Sequence, residues 1–100
     1  MGKARLSPPQ EQLTLFCQHR HIRKLAFFGS VLRDEFRSDS DVDVLVEFET
    51  GHVPGLDFFA MEAELSQLLG RRVDLNTASF LSPYFRDEVL REAETQYVAA

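Results

Sequence analysis

The stretch that decides the fold is Asp41-Val42-Asp43-Val44-Leu45-Val46-Glu47-Phe48, in which apolar and acidic residues largely alternate. Side chains point to opposite faces of a β-strand in turn, so this period of two predicts a strand over 41–49. One face then carries Val42, Val44, Val46 and Phe48, and the other carries Asp41, Asp43, Leu45 and Glu47. The pattern therefore predicts a strand with one face in the core and two aspartates on the other.

The aspartate pair on this strand is unusual, because Asp is disfavoured in strands. Asp41 and Asp43 lie about 7 Å apart along one face, where two carboxylates repel each other. The repulsion lowers stability unless a cation lies between them, and Mg²⁺ takes such hard oxygen ligands. The alternative is that both side chains face water at the end of a strand, and the pair alone leaves both interpretations open.

A calcium loop is the second metal hypothesis, because Asp39, Asp41 and Asp43 occupy alternate positions. The EF-hand pattern requires Gly at position 44 and Glu at position 50. The chain has Val44 and Thr50 there, and it continues as a hydrophobic alternation instead of a helix. The calcium loop is therefore set aside.

A glycine-serine turn, Phe28-Gly29-Ser30, precedes the aspartate strand. Glycine lets the backbone approach a ligand closely, and free N–H groups at the start of a helical turn attract anions. The Ser30 hydroxyl adds a further donor for a phosphate. Arg33, three residues on, is expected on the same helical face, to bind a phosphate or to pair with a nearby Asp. A purely structural turn is the alternative.

A third carboxylate lies between apolar neighbours in Arg72-Val73-Asp74-Leu75. In a strand over 72–76, Asp74 points away from the face that carries Val73 and Leu75. By itself such a residue is a metal ligand or simply a solvated side chain.

The remaining elements follow from apolar periodicity and breakers. Three helices are predicted: over 7–22 with Ser7 as N-cap, over 56–69 with Gly70 as C-cap, and from Ser82-Pro83 to Tyr97. A strand is predicted over 24–28, and a short helical turn over 31–36. The last helix is predicted because Phe85, Val89, Ala93 and Tyr97 recur every fourth residue. The order α-β-α-β-α-β-α predicts an α/β (α+β) fold with a small mixed sheet of about three strands covered by helices.

Composition limits the functional class. The 100 residues, 44% hydrophobic and 27% charged, predict one globular domain over 1–100. The net charge of -5 argues against direct binding of nucleic acid, and no apolar run is long enough for a membrane span. A single cysteine, Cys17, indicates a reducing compartment, and residues 1–5 lack the apolar segment of a signal peptide. A cytoplasmic protein is expected.

Together, Phe28-Gly29-Ser30, Asp41-Val42-Asp43-Val44 and Val73-Asp74-Leu75 form one constellation. It resembles the nucleotidyltransferase superfamily that includes DNA polymerase beta. The closer resemblance is to the minimal nucleotidyltransferases, or MNT proteins, in residues 29–33, 38–48 and 81–93, and it extends over nearly the whole chain from about Leu25. The fold expected from it is a polymerase beta-like palm.

The resemblance implies chemistry for particular residues. Asp41 and Asp43 are implied to hold two Mg²⁺ ions, and Asp74 to bind one of them and help activate the attacking hydroxyl. Gly29, Ser30 and Arg33 are implied to bind the phosphates of the substrate ATP. Family members are usually antitoxins that transfer AMP to a tyrosine of a HEPN-domain toxin, so this partner, and a hetero-oligomer with it, are expected.

Two other functions are weighed against this one. Asp34 follows Arg33 where many relatives have Gly, and an acidic group there lies close to the expected phosphate site. It favours the alternative of a non-catalytic antitoxin that neutralises its toxin by binding alone. The third function, transfer to a small molecule such as an aminoglycoside, usually requires a second helical domain, for which 100 residues leave no room.

Four further residue sets receive predictions. His19 and His21 are interpreted as part of a solvated basic stretch with no third metal ligand nearby, and His52 receives no role. Cys17 lies at an apolar helical position and is expected in the core. Phe80, Tyr84, Tyr97 and the loop after Thr50 are predicted to form a partner surface.

Overall fold

A computed structural model describes residues 6–34, 36–52 and 54–99. Residues 1–5, Glu35 in the predicted turn and Val53 in the predicted loop lie outside the described residues. In order, the chain forms α1 (Gln10–His19), β1 (Ile22–Phe28), a 3-10 turn (Gly29–Leu32), β2 (Val42–Phe48), α2 (Asp57–Leu69), β3 (Val73–Asn76), a second 3-10 turn (Ala78–Phe80), α3 (Arg86–Glu92) and β4 (Glu94–Val98).

The described strands form one mixed sheet with the order β3-β2-β1-β4. β1 is antiparallel to both β2 and β4, whereas β2 and β3 are parallel. The α+β class and the mixed sheet are confirmed. The number of strands was underestimated, because the sheet has four strands and not three.

The fourth strand replaces the end of the predicted last helix. α3 stops at Glu92, Ala93 turns the chain with φ -58° and ψ 134°, and β4 then pairs with β1. Val89 and Ala93 pack against a small apolar cluster as the four-residue spacing predicts, but Tyr97 lies opposite Leu25 in the sheet. β4 contains Thr, Tyr and Val, which favour strands, and it pairs the otherwise open edge of β1.

The predicted boundary between the first helix and the first strand was also wrong. α1 ends at His19, and β1 begins at the buried Ile22. His21 lies between them with φ 58°, a left-handed conformation that ends the helix and redirects the chain into the sheet. At the other end of α1 the N-cap is Pro9, without a side-chain cap, so Ser7 is not the cap.

Both faces of the sheet are covered. On one face, Val42, Val44 and Val46 of β2 pack in the main core with residues of α1 and α2, including Cys17 as predicted. On the other face, Leu45 packs with Phe28 and Leu81 beside α3. The alternation along β2 is therefore confirmed, and it directs the aspartates away from the main core.

α2 ends as predicted at Leu69, with Gly70 in the left-handed conformation at φ 69°. Within the described residues, no helix has the length and apolar character that a membrane span requires.

Candidate active site

Two of the three predicted carboxylates lie directly opposite each other. β2 and β3 are parallel, and their register pairs Asp43 with Asp74. Neighbouring strands are about 4.8 Å apart, and paired residues of a parallel ladder point to the same face. Asp41 comes two residues before Asp43, just before β2 begins. Because side chains two residues apart in an extended chain point to the same face, Asp41 faces the same side as Asp43. The sheet therefore brings three aspartates to one face at one end.

Asp43 is the central carboxylate of this group. It is half-buried, whereas Asp41 and Asp74 are exposed. Burial, and then the charges of Asp74 and Asp41, raise the pKa of Asp43 from 3.8 to about 6. The charged form is therefore disfavoured in the absence of a cation, as the sequence predicted for closely spaced carboxylates.

Gly29 approaches this carboxylate more closely than another residue could. It has φ 77°, and a Cβ atom built on it would lie 2.2 Å from Asp43 Oδ2. Because β1 and β2 pair Phe28 with Asp43, the turn that follows β1 passes directly beside the aspartate. The close approach expected of this glycine is thus made to the proposed metal ligand, and Ser30 is held in the same turn.

Arg33 does not lie where the sequence placed it. The 3-10 turn ends at Leu32, and Arg33 is extended, so it shares no helical face with Ser30. Its exposed guanidinium pairs with Glu92 of α3, with 3.3 Å between Nη2 and Oε2. The acidic partner that the sequence predicts for Arg33 is therefore Glu92 of α3 and not an aspartate. This pair links α3 to the segment that follows the 3-10 turn.

The loop before β2 is held by an arginine that the sequence did not indicate. Arg71 donates from Nη1 to the carbonyl of Arg37 at 2.6 Å, and its guanidinium carbon lies 4.3 Å from the centre of the Phe36 ring. The adjacent Arg72 places Nε 4.0 Å from Asp41 Oδ1. The Arg71 contacts hold the segment that presents Asp41, whereas the exposed Arg72–Asp41 pair adds little.

Two further residues that sequence reasoning missed hold β3 in place. Glu62 Oε2 accepts a hydrogen bond from the N–H of Leu75 at 2.8 Å, and Ser66 Oγ accepts one from the N–H of Val73 at 3.0 Å. β3 is an edge strand, and these bonds from α2 satisfy its outward donors on both sides of Asp74. Their four-residue spacing on a helix was the available signal, but it does not reveal which strand they meet.

A cavity of about 410 Å³ adjoins Asp74. Its lining is mainly apolar and includes Phe58, Phe59, Phe80 and the loop residues Pro54 and Gly55. Phe59 is 71% exposed and Phe80 62% exposed, which is unusual for aromatic side chains. The wall of the cavity is therefore an open aromatic surface next to a predicted catalytic carboxylate.

The residues predicted for a partner surface differ in their exposure. Tyr84 is almost fully exposed, and Phe80 lines the cavity, as predicted. Tyr97 instead packs against the main core, because it lies on β4. It is therefore not part of this surface.

The histidines behave differently from the sequence prediction. His21, Glu49 and His52 place one ligand atom each within 4.8 Å of one another, so His21 has two metal-ligating neighbours. Throughout the described residues no other trio of His, Cys, Asp or Glu side chains is this close, the three aspartates included.

The aspartates nevertheless fit a magnesium site by their chemistry. All three are carboxylates, which are the ligands that Mg²⁺ prefers, and a cation relieves the repulsion that raises the pKa of Asp43. Two of the three are exposed, so waters and phosphate oxygens can complete the coordination.

Comparison with known proteins identifies the family of the chain. The family described as "Nucleotidyltransferase domain" matches residues 10–95. The protein adenylyltransferase MntA of Thermococcus cleftensis is 46% identical over 72 residues, which are 71% of this chain and 71% of that protein.

Solved structures extend the comparison to the fold. A structure described as a minimal nucleotidyltransferase is 42% identical, with a TM-score of 0.68 over 84% of this chain and 85% of that chain. A toxin–antitoxin crystal structure with AMP-PNP shares the fold at 15% identity, with a TM-score of 0.72 over 91% of this chain and 74% of that chain. The chain belongs to the nucleotidyltransferase domain family and, within it, to the minimal nucleotidyltransferases.

Proposed function

We propose that this chain is a Mg²⁺-dependent adenylyltransferase that moves AMP from ATP to a tyrosine hydroxyl of a HEPN-domain toxin, and so acts as the antitoxin of a pair. The observation that supports the chemistry is the pairing of Asp43 with Asp74, with Asp41 and Gly29 beside them. The similarity to the adenylyltransferase MntA supports the choice of AMP as the transferred group.

The carboxylates supply the metal ligands in this proposal. Asp41 and Asp43 hold two Mg²⁺ ions, and Asp74 holds one of them. When bound, the ions neutralise charge on the triphosphate and stabilise the entering and leaving oxygens of an in-line displacement. The half-buried Asp43 is the most firmly held ligand of the site, because β2 is hydrogen-bonded to a strand on each side.

At the α-phosphorus the reaction forms one bond and breaks one, and the tyrosine proton passes to a carboxylate. The tyrosine oxygen attacks the α-phosphorus of ATP, the bond from that phosphorus to the β-phosphate oxygen breaks, and pyrophosphate leaves. Asp74 is exposed and faces the cavity, so it is the carboxylate that takes up the hydroxyl proton. Asp43 lies deeper and serves as a ligand.

Other residues bind the nucleotide in this proposal. Gly29 and Ser30 open the 3-10 turn, and their N–H groups bind oxygens of the terminal phosphates. Arg33 adds a cationic contact when its guanidinium leaves Glu92, which is an exposed and therefore weak partner.

The acceptor is proposed to be a protein because of the surface beside Asp74. The exposed rings of Phe59 and Phe80 form an apolar wall that suits a protein partner. The net charge of -5 disfavours a nucleic-acid acceptor. The toxin–antitoxin structure of the same fold, which holds AMP-PNP, supports a toxin as the partner.

A label-transfer assay tests the proposal. The chain is incubated with Mg²⁺, α-labelled ATP and the product of the neighbouring gene, beside the double variant Asp41→Ala/Asp43→Ala. Asp39→Ala is the matched control, because Asp39 is an exposed aspartate two residues before Asp41. Transfer of label to the partner by the wild type and the control, and loss of transfer in the double variant, is the expected result.

The alternative gives a different pattern in the same assay. If the chain neutralises its partner by contact alone, no label is transferred and the double variant still captures and inhibits the partner. That result would replace the enzymatic proposal with the non-catalytic antitoxin. Transfer of label to the partner in a reaction from which Mg²⁺ is chelated at the outset would contradict the metal dependence.

A further inference from the structure

The second cluster of metal-ligating side chains lies away from the aspartates. Among His21, Glu49 and His52, the ligand atoms all lie within 4.8 Å of one another. His21 Nδ1 is 3.5 Å from Glu49 Oε1, and the two imidazole rings stack with centroids 3.9 Å apart. All three side chains are exposed, so a dissolved cation can reach them.

Backbone hydrogen bonds hold the three residues close together without an ion. The carbonyl of His21 accepts a hydrogen bond from the N–H of Glu49 at 2.9 Å, and the carbonyl of Glu49 accepts one from the N–H of His52 at 3.0 Å. His21 itself has φ 58°, which is uncommon for a residue other than glycine.

The donor set identifies the class of ion. Two imidazoles and one carboxylate bind borderline transition metals such as Zn²⁺, whereas Mg²⁺ and Ca²⁺ prefer an all-oxygen shell. In a tetrahedral zinc site the ligand atoms are about 3.4 Å apart, given Zn–N distances of about 2.0–2.1 Å. The two imidazole rings are stacked, so ligation of one ion requires these exposed side chains to rotate until a ring nitrogen of each points toward it.

We propose that His21, Glu49 and His52 form a binding site for a divalent transition-metal ion of the Zn²⁺ class, with water completing the coordination. The site lies where β1 begins and β2 has just ended, whereas Asp43 lies at the opposite end of the same strand pair. Glu49 lies six positions after Asp43, which is about 20 Å along a strand. The site is therefore distinct from the aspartate group and does not depend on the proposed function.

The bound ion would cross-link two segments that are far apart in sequence. His21 belongs to the turn before β1, and His52 belongs to the loop that leads from β2 to α2. That loop also contributes Pro54 and Gly55 to the cavity beside Asp74. The ion would therefore restrain a loop that lines this cavity.

Calorimetric titration with Zn²⁺ tests the site in the variant Asp41→Asn/Asp43→Asn/Asp74→Asn, which removes the three competing carboxylates of the aspartate group. One equivalent of Zn²⁺ is expected to bind. Adding His52→Gln or His21→Asn should weaken the affinity about tenfold or more. Asn is chosen at position 21 because it tolerates the left-handed conformation. His19→Gln is the matched control, since His19 is exposed and only two residues from His21.

Paramagnetic broadening of backbone NMR signals by Ni²⁺ supplies a second measurement that needs no variant. Signals of residues 20–22 and 48–52 should broaden first, ahead of those around Asp43. The proposal is overturned if Zn²⁺ does not bind, if the His19→Gln control loses as much affinity as His52→Gln, or if Ni²⁺ broadens the Asp43 region alone. A far-ultraviolet circular dichroism spectrum of each variant verifies that it is folded.

Discussion

Replacing Asp43 with Asn should stabilise the protein in metal-free buffer while abolishing its activity. Asp43 is half-buried, and its pKa is raised from 3.8 to about 6 by burial, by Asp74 and by Asp41, in that order. Asn has nearly the same shape and no charge. It therefore removes the unfavourable charge without leaving a gap against Gly29.

The pKa difference sets the magnitude. A shift of the pKa of Asp43 from 3.8 to about 6 corresponds to a loss of about 3 kcal/mol in the free energy of unfolding, at 1.36 kcal/mol per pKa unit. Because Asp43 is only partly buried, solvent screening reduces this to about 1–2 kcal/mol. For a domain of this size each kcal/mol moves Tm by about 4–8 °C. A rise in Tm of at least about 4 °C is expected at pH 8 in EDTA.

The pH dependence has a definite sign. The folded protein binds the proton of Asp43 more tightly than the unfolded chain does, since the folded pKa lies above the ordinary value. The penalty for the charge is therefore full above about pH 6 and disappears as the pH falls towards 3.8. The advantage of Asp43→Asn should shrink along the same interval.

Thermal unfolding by circular dichroism at pH 8 and pH 5, in EDTA and in Mg²⁺, measures the effect. Asp39→Asn is the control, because Asp39 is an exposed loop aspartate outside the group that raises the pKa of Asp43. Mg²⁺ should raise the Tm of the wild type and not that of Asp43→Asn. A variant less stable than the wild type at pH 8 in EDTA, or a gain that is the same at both pH values, would refute the reasoning.

Three other substitutions test the architecture around the aspartates. Gly29→Ala should reduce label transfer at least about 100-fold and should lower the free energy of unfolding, measured in urea, more than Gly51→Ala does. Both glycines have positive φ, but only at Gly29 would the added Cβ meet a neighbouring atom, Asp43 Oδ2, at 2.2 Å. Glu62→Ala should lose about 1–2 kcal/mol of stability in urea unfolding and also slow transfer, whereas Glu62→Gln retains an oxygen acceptor and much of both. Glu92→Gln should lower the KM for ATP by releasing Arg33, with a Tm change near zero because the pair is exposed; an unchanged KM would remove Arg33 from the nucleotide site.

The features that the sequence predicted correctly have local patterns. The alternation in 41–49 determines which side chains of β2 enter the core, and it places the aspartates on the other face whatever β2 pairs with. Similarly, α2 has a long apolar period and a glycine at its end. The grouping of Asp43 with Asp74 required the family resemblance, because a parallel register cannot be worked out from one strand.

The features that were missed depend on contacts between distant segments. The four-residue spacing over 85–97 suits a helix, but pairing with β1 outweighs it after Ala93. His21 and His52 are 31 positions apart, and only the antiparallel pairing of β1 with β2 brings their neighbourhoods together. Glu62 likewise gains its role from the N–H of Leu75, which belongs to another element.

The open aromatic wall beside Asp74 has a consequence for the colloidal behaviour of the protein alone. Apolar rings as exposed as Phe59 and Phe80 attract one another between copies of the chain, while the net charge of -5 keeps the copies apart. Salt shortens the reach of that repulsion to about 8 Å at physiological ionic strength and leaves the hydrophobic attraction in place. Self-association should thus increase with added salt and decrease once a partner covers the rings.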